Sequence, residues 1–421
     1  MPPLPHTGSY YAASVNHHTD FAPLQGEQHA DVCVVGAGFT GIATALTLTE
    51  RGYNVHVVEA NKVGWGASGR NGGQLISGVS GEKHFSKNAD DALCWNMRWR
   101  GHEIIQERVA KYDIQCDLKY GFVDVAIKPR HLREFEEDFE VLQRHDFPHE
   151  FRLLDKEETR EITGTDKYIG ALLNMGNGHL HPLNLCIGEA MAAVDQGATI
   201  YENSEVLRID RGAKPTVVTD SGSVTAEHVV LAGNAYHFIE PSLRGIMFPV
   251  NSFIIATEPL NEEQLANIIP QDLAVCDPNF VLQYFRLSAD KRLLFGARMN
   301  YFGDDPKVIE RHHKPLLVRL FPQLKDVAID YAWGGTIGIP LHRVPQLGRV
   351  APNIFYSQGY SGHGVNVTHL AGEIMADAVA GTMERFDVFA NVKPIRIPGA
   401  HTFRKPMVAL GVLYYQIRDK L

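Results

Sequence analysis

The apolar run from Asp31 to Val35 stops at Gly36-Ala37-Gly38-Phe39-Thr40-Gly41, and a helical pattern then occupies Thr40 to Glu50. Gly52 ends that helix, and a second apolar run follows from Asn54 to Glu59. This order of strand, glycine turn, helix and strand constrains the fold more than any other feature of the chain. In such a unit Gly36 makes the tight turn, Gly38 admits a ligand phosphate to the backbone and Gly41 packs helix on strand. The helix N-terminus faces the phosphates. Glu59, 18 residues beyond Gly41, is placed for a ribose hydroxyl, so the unit predicts a dinucleotide site.

At 421 residues the chain exceeds the usual length of one domain, about 100 to 200 residues, and two interleaved domains are expected. No apolar run approaches the ~20 residues of a membrane span. The N-terminus, Met1-Pro2-Pro3-Leu4-Pro5 and then polar, lacks the regions of a signal peptide, so no export and a cytoplasmic location are expected. The cysteines (Cys33, Cys94, Cys116, Cys186, Cys276) include no CxxC pair and are expected to be reduced and buried. A net charge of −9 argues against a nucleic-acid surface and suits a cationic substrate, although solubility alone also accounts for it.

The first thirty residues read as an arm ending at Ala30. Residues 64–81 are too rich in glycine for a packed helix or strand and form a loop that something must approach closely. Helices are expected over Asp90 to Tyr112, Glu134 to Arg144 and Pro182 to Gln196, with strands at Thr199 to Glu202 and Val229 to Ala232. Runs at Asn251 to Thr257, Phe280 to Leu287 and Arg292 to Phe295 alternate with turn signals and suggest an antiparallel sheet. Asn353 to Gln358 is a strand, Gly359 to Gly364 a glycine turn, and Val365 to Ala380 a helix closed by Gly381.

The choice between NAD and FAD rests on two further glycine sets aimed at a ring system, which an NAD dehydrogenase does not need. One is Gly66-Ala67-Ser68-Gly69-Arg70-Asn71-Gly72-Gly73-Gln74; the other is Gly359-Tyr360-Ser361-Gly362-His363-Gly364. The second opens a helix whose positive end suits the pyrimidine edge of a flavin. A helix terminus contributes about 1 kcal/mol, so it shifts a two-electron potential by only some 20 mV.

These sets, with Ala232-Gly233-Asn234 ending a strand between them, resemble the D-amino-acid oxidase and sarcosine oxidase superfamily. Ser9 to Ser14, the stretch from Gly64 to Gln74, His181-Pro182-Leu183-Asn184-Leu185, Ala232 to Tyr236 and Gln358 to Val365 resemble the bacterial gamma-glutamylputrescine oxidases within it. The resemblance implies FAD, oxidation of an amine carbon and molecular oxygen as acceptor. It adds Ala60, Val206, Gly335 and Val365 to the expected FAD contacts. Related sarcosine oxidases attach flavin through a cysteine in the C-terminal third; none follows Cys276 here, so a non-covalent flavin is expected. Those relatives also carry a lysine where Asn366 stands, so Asn366 becomes a candidate beside the flavin.

The expected fold is thus α/β (α+β overall), D-amino-acid oxidase-like: a Rossmann-type FAD-binding domain interleaved with an antiparallel-sheet substrate domain. The first takes residues 31–85, 150–245 and 340–400, and the second takes 86–149 and 246–339. The arm is 1–30, and 401–421 is expected to be a C-terminal helix.

Hydride leaves a neutral amine, and deprotonating a primary alkylamine at pH 7 costs about 4.6 kcal/mol in water. An apolar slot lowers that cost without requiring a general base. Tyr284, Phe285, Tyr301, Phe302 and Trp333 are candidate walls, or core residues at strand spacing. Arg286 and Arg298 are candidate forks for a gamma-glutamyl carboxylate, or surface ion pairs. His363 is a candidate for hydrogen bonding or proton transfer beside the ring, or simply the first residue of a helix whose amide does the binding. His179 and His181 share a strand face, but no carboxylate or cysteine nearby completes a metal site. Three other readings stay open: an amine or amino-acid dehydrogenase with a different acceptor, an NADPH-using flavoprotein, for which a second dinucleotide fingerprint is missing, and a non-catalytic FAD-binding subunit.

Overall fold

Val32 to Val35 and Val55 to Val58 are buried at every position, the pattern of strands covered on both faces, and both sit inside a parallel sheet. The computed structural model describes residues 4–85, 89–236, 239–279, 282–300 and 305–396, with backbone alone at 298–300. The chain begins with α1 (Tyr10–Ala13), β1 (Gly26–Val35), α2 (Phe39–Glu50), β2 (Val55–Val58) and β3 (Gln74–Leu75). It continues through α3 (Asp91–Lys111), β4 (Lys119–Ala126), α4 (Pro129–Arg144), β5 (Phe151–Leu154), α5 (Lys156–Thr163), β6 (Gly170–His179) and α6 (Pro182–Asp195). Short strands β7 (Thr199–Tyr201), β8 (Arg208–Asp210) and β9 (Thr216–Val218) precede the long β10 (Gly222–Leu231) and β11 (Phe248–Pro259). Then come α7 (Glu262–Ala266), β12 (Ala274–Cys276), β13 (Tyr284–Leu287), β14 (Arg292–Asn300), α8 (Pro306–Leu320) and β15 (Ile329–Ile339). The described chain closes with β16 (Gln346–Ala351), β17 (Ile354–Gln358), α9 (Gly364–Val379) and α10 (Glu384–Ala390).

Two sheets result. The first has the order β16-β17-β10-β1-β2-β7, with β8 and β9 attached at β10. Strands β17, β10, β1, β2 and β7 are parallel, so the carboxyl ends of β1, β2, β10 and β17 share one edge. The residues that follow those ends are Gly36, Glu59, Ala232 and Gly359. The second sheet has the order β15-β11-β14-β13-β12-β4-β6-β3, with β5 beside β6, and is antiparallel except where β12 runs with β4.

Sheet membership corrects the expected division in three places, one of them β3, which lies within 31–85 but pairs with β6 in the second sheet. The arm ends at Gln25, because β1 begins at Gly26 and pairs with β10 from there. The segment holding β5 and β6, expected in the first domain, belongs to the second sheet, where β6 pairs antiparallel with β4 and β3. Apolar periodicity marks a strand but not the sheet it joins, and the return to the first sheet occurs only at α6 and β7. The helix expected at 401–421 lies outside the described residues.

Helices α2 and α9 meet on one face of the first sheet. Gly372 allows it: a Cβ there would stand 2.5 Å from Ala43 Cβ and 2.9 Å from Thr44 N. A buried polar network ties the same helices to α3 and α6. Arg108 Nη1 donates to Glu189 Oε1 at 3.0 Å, and Arg108 Nη2 donates to Ala43 O and Thr47 Oγ1. His369 Nε2 lies 3.0 Å from Glu189 Oε2, and its Nδ1 lies 2.6 Å from Val365 O. Burial pushes the Glu189 carboxyl up, but its neighbours His369 and Arg108 outweigh it and hold it below its usual value. The network therefore fixes the first turn of α9 relative to α2.

Candidate functional site

The glycine turns after β1 and β17 each open directly into a helix, and neither helix has a side-chain cap. Gly38 is the N-cap of α2 and His363 that of α9, so backbone amides at both starts are free of a side-chain capping bond. One exception is the Phe39 amide, which donates to Ser68 Oγ at 2.9 Å. Between the two starts lies a cavity of 690 Å³ that continues to the face of the second sheet.

The local backbone explains why this edge is open. Gly36 has φ +106°, and a Cβ there would press on Ala232 O at 3.0 Å. A Cβ on Gly41 would lie 1.8 Å from Gly36 O, so helix and turn close up only with glycine there. Glu59 crosses beneath the turn, its Oε2 accepting from Ala37 N at 2.8 Å and its Oε1 from Asn61 N at 2.9 Å. Burial raises its pKa. Asn234 Oδ1 accepts from Gly359 N at 2.9 Å and so joins the loop after β10 to the loop after β17.

Most of the expected cofactor residues line this one cavity: Gly36, Gly38, Phe39, Thr40, Glu59, Ala60, Ala67, Ser68, Arg70, Asn71, Gly72, Gln74, Val206, Ala232, Gly233, Gly335, Ser361, Gly362, His363, Gly364 and Val365. Ala37, Gly41, Gly69, Gly73 and Gly359 do not. They shape the walls instead, as Gly69 does by packing against Gly64 O. The donors and glycine clefts fit a dinucleotide with a ring system at one end: uncapped amides at two helix starts, an acid at the end of β2, and close backbone approach throughout.

The loop from Gly66 to Gln74 is held by its own polar groups. Asn71 Nδ2 donates to Ala67 O and Ser68 O while its Oδ1 accepts from Gly73 N at 2.8 Å. Arg70 stacks over Trp65 at 4.2 Å and donates from Nε to Trp65 O, and Trp333 Nε1 donates to Arg70 O at 3.0 Å. Trp333 is thus a buried support for the loop and not a cavity wall. Tyr284 does line the cavity, in the space left by Gly72 and Gly296. Phe285, its strand neighbour, points to the opposite face and is core. Tyr301 and Phe302 lie outside the described residues.

Arg286 is neither a surface ion pair nor a fork for substrate. It is 2% exposed, and its guanidinium donates to Gly72 O (2.7 Å), Leu180 O (2.8 Å), Leu287 O (3.0 Å) and Tyr11 Oη (3.0 Å). With its donors turned to these acceptors, Arg286 locks the Gly72-Gly73 backbone against β6. The side chain of Arg298 lies outside the described residues. Two other arginines, Arg70 and Arg343, reach the cavity lining.

Asn366 is also corrected. It is 1% exposed and donates to Arg98 O at 3.0 Å, toward α3. Val365 and Thr368 share the cavity face of α9, and one residue's rotation of about 100° carries position 366 away from it. His363 does line the cavity. Its Nε2 meets Ser77 O at 2.9 Å, and burial lowers its pKa, so the ring is an anchored neutral imidazole. His179 and His181 serve the framework: His179 Nε2 meets Asp272 O, and His181 Nδ1 accepts from Asn184 N as the cap of α6.

Three cavity residues carry little or no sequence signal. Arg343 stands alone in a loop, Tyr236 follows a glycine turn, and Asp124 interrupts the apolar strand from Phe122 to Ala126. Only the last could have been found by pattern, since an acid amid strand-core residues is costly. Arg286→Met is expected to strand buried carbonyls at roughly 1 to 3 kcal/mol each. The purified variant should show a lower melting temperature and a reduced FAD content. A wild-type melting temperature combined with a raised KM alone would restore the role of a substrate fork.

Comparison with known proteins places this geometry. The DAO family, described as FAD dependent oxidoreductase, matches residues 31–378. Gamma-glutamylputrescine oxidoreductase of Escherichia coli (strain K12) is 44% identical over 99% of both chains. A probable oxidoreductase, OrdL, of Haemophilus influenzae is 40% identical over 99% of this chain and 98% of its own. Glycine oxidase from Geobacillus kaustophilus superposes with a TM-score of 0.70 at 22% identity, covering 84% of this chain and 95% of that one. The L-proline dehydrogenase of P. horikoshii superposes with the same score, 0.70, at 21% identity, covering 87% and 98%. These two establish the fold alone, and it is the expected one of two interleaved sheets. The chain belongs to the DAO family of FAD-dependent oxidoreductases.

Proposed function

We propose that this protein oxidises an amine, with a gamma-glutamylated polyamine such as gamma-glutamylputrescine as preferred substrate and molecular oxygen as acceptor. The product imine hydrolyses to an aldehyde, and hydrogen peroxide is formed. One observation carries the reading: a single cavity runs from the glycine turns of the first sheet to an apolar wall of the second, formed by Ile76, Ile254, Leu282, Tyr284 and Ile337. Full-length identity of 44% to a gamma-glutamylputrescine oxidoreductase supports the substrate class.

Bound FAD supplies the two-electron acceptor. In this reading the turn from Gly36 to Gly41 and the N-terminus of α2 hold its phosphates, Glu59 and Ala60 its ribose, and the loops Arg70 to Gln74 and Ser361 to Val365 its ring. His363 fixes the entry to α9 through Ser77 and stays neutral, so the positive potential there comes from the helix start together with the Arg343 and Arg98 charges that act on the ring. The apolar wall excludes water and favours the neutral amine over its ammonium form. Arg70 and Arg343, in place of Arg286, are the cations positioned to meet a glutamyl carboxylate.

The flavin is held without a covalent bond. All five cysteines are buried, and Cys276 alone of them lines the cavity. Burial pushes its thiol far above the usual range, so it is not a thiolate. Acid precipitation of the holoenzyme should therefore release intact FAD; flavin that stays with the pellet contradicts this. A panel of gamma-glutamylputrescine, putrescine, spermidine, sarcosine, glycine and D-alanine, read by peroxide, tests the activity. Turnover of the first with stoichiometric peroxide is expected, and turnover of only the last three defeats the substrate reading. Rapid flavin reduction without peroxide would instead make the protein an amine dehydrogenase with another acceptor.

A further inference from the structure

Asp124 stands on the wall that the second sheet gives to the cavity. It lies in β4 between Val123 and Val125 and pairs in register with Cys276 of β12 and Leu172 of β6. Strand alternation puts it on the face of Phe122, which forms an apolar cluster with Ala274, Cys276, Ile76, Leu282 and Tyr284. Four of these, Ile76, Cys276, Leu282 and Tyr284, line the cavity beside it.

Among the described residues the Asp124 carboxyl has no hydrogen bond and no ion pair. The residue is part-exposed, open to the cavity beside that apolar cluster, and a ligand cation entering there is the group that would pair with its carboxylate. The one charge acting on it comes from Asp138 of α4, a second acid, which is exposed and does not line the cavity. Its cross-strand neighbour Cys276 stays a neutral thiol. Burial first, and then Asp138, push the Asp124 carboxyl up to about 7. Arg98 acts on Asp138, not on Asp124.

This setting discriminates between kinds of amine. A lone alkylammonium brings positive charge only, whereas an α-amino acid brings its own carboxylate into the field of two acids. We propose that Asp124 is the substrate's ammonium-binding residue, that it takes one proton from the bound alkylammonium, and that it disfavours α-amino acids. In that transfer an ammonium N–H bond breaks and a carboxyl O–H bond forms, leaving the neutral amine whose carbon can give up hydride. The inference deepens the amine-oxidation reading and rests on it.

The test uses FAD-loaded wild type, Asp124→Asn and Asp124→Glu. The probe is 2-methyl-2-butylamine, which has no hydrogen on its amine carbon and cannot be oxidised; 2-methyl-2-butanol is its neutral counterpart. Dissociation constants come from the change in flavin absorbance, with no turnover needed. Asp124→Asn should keep its FAD and its affinity for the alcohol but bind the amine at least tenfold more weakly, and Asp124→Glu should keep most of the amine affinity. With gamma-glutamylputrescine, kcat/KM of the wild type should fall below a pH of about 7. In Asp124→Asn that limb should move toward the ordinary alkylamine value of about 10.4. Unchanged amine affinity and an unmoved limb in Asp124→Asn would overturn the proposal, as would equal loss in both variants. Should wild type bind the probe through Asp124 yet oxidise no amine, the activity reading fails while the assignment of the ammonium site stands.

Discussion

Everything in this structure depends on two helix starts meeting at one sheet edge with no capping side chain from their own N-cap residues. A helix that begins without a capping side chain leaves backbone donors to be satisfied by something else, and one such end is unremarkable. Here α2 and α9 begin on either side of one cavity, behind glycine turns that allow close approach. Parallel strands β1 and β17 bring them there, and the contact at Gly372 together with the Arg108–Glu189–His369 network prevents one start from moving without the other. The buried charges in that network gain their value from position, since they fix the first turn of α9 through Val365 O.

The second sheet turns a binding edge into a reaction chamber. Its strand β13 supplies both the wall residue Tyr284 and the clamp Arg286, two residues apart and on the same face of the pleat, with Phe285 between them turned to the core. The clamp explains how a loop as rich in glycine as Gly66 to Gln74 keeps one conformation. Glycine permits close approach but fixes nothing, and order comes from Asn71 within the loop and from Arg286 and Trp333 outside it. The chain thus separates two tasks: glycine makes room, and buried donors hold the shape.

The same separation explains what could be read from sequence. The turn Gly36 to Gly41 and the strand, turn and helix around Gly359 to Gly364 were legible because backbone demands are local and select one residue type. Arg286 was not, since an arginine in a Tyr-Phe-Arg strand looks the same whether it meets solvent, substrate or distant carbonyls at Gly72 and Leu180. Asn366 was misplaced for a simpler reason: neighbours on a helix face different ways, and alignment with a functional position in relatives does not override that rotation. The pairing of β5 and β6 with β4 lay beyond periodicity as well, because pattern shows a strand without its partner. Asp124 was missed; as an acid inside an apolar strand it could have been flagged, but it acquires meaning only beside Cys276, Leu282 and Tyr284.

The central claim is that the cavity joins a flavin held at the helix starts to an amine held against the second sheet. Anaerobic titration of the holoenzyme with gamma-glutamylputrescine tests it most directly, since oxygen is then irrelevant. Loss of oxidised-flavin absorbance, complete at about one equivalent of amine, is the predicted result. A spectrum that stays oxidised while the flavin remains bound and excess amine is present would contradict the claim.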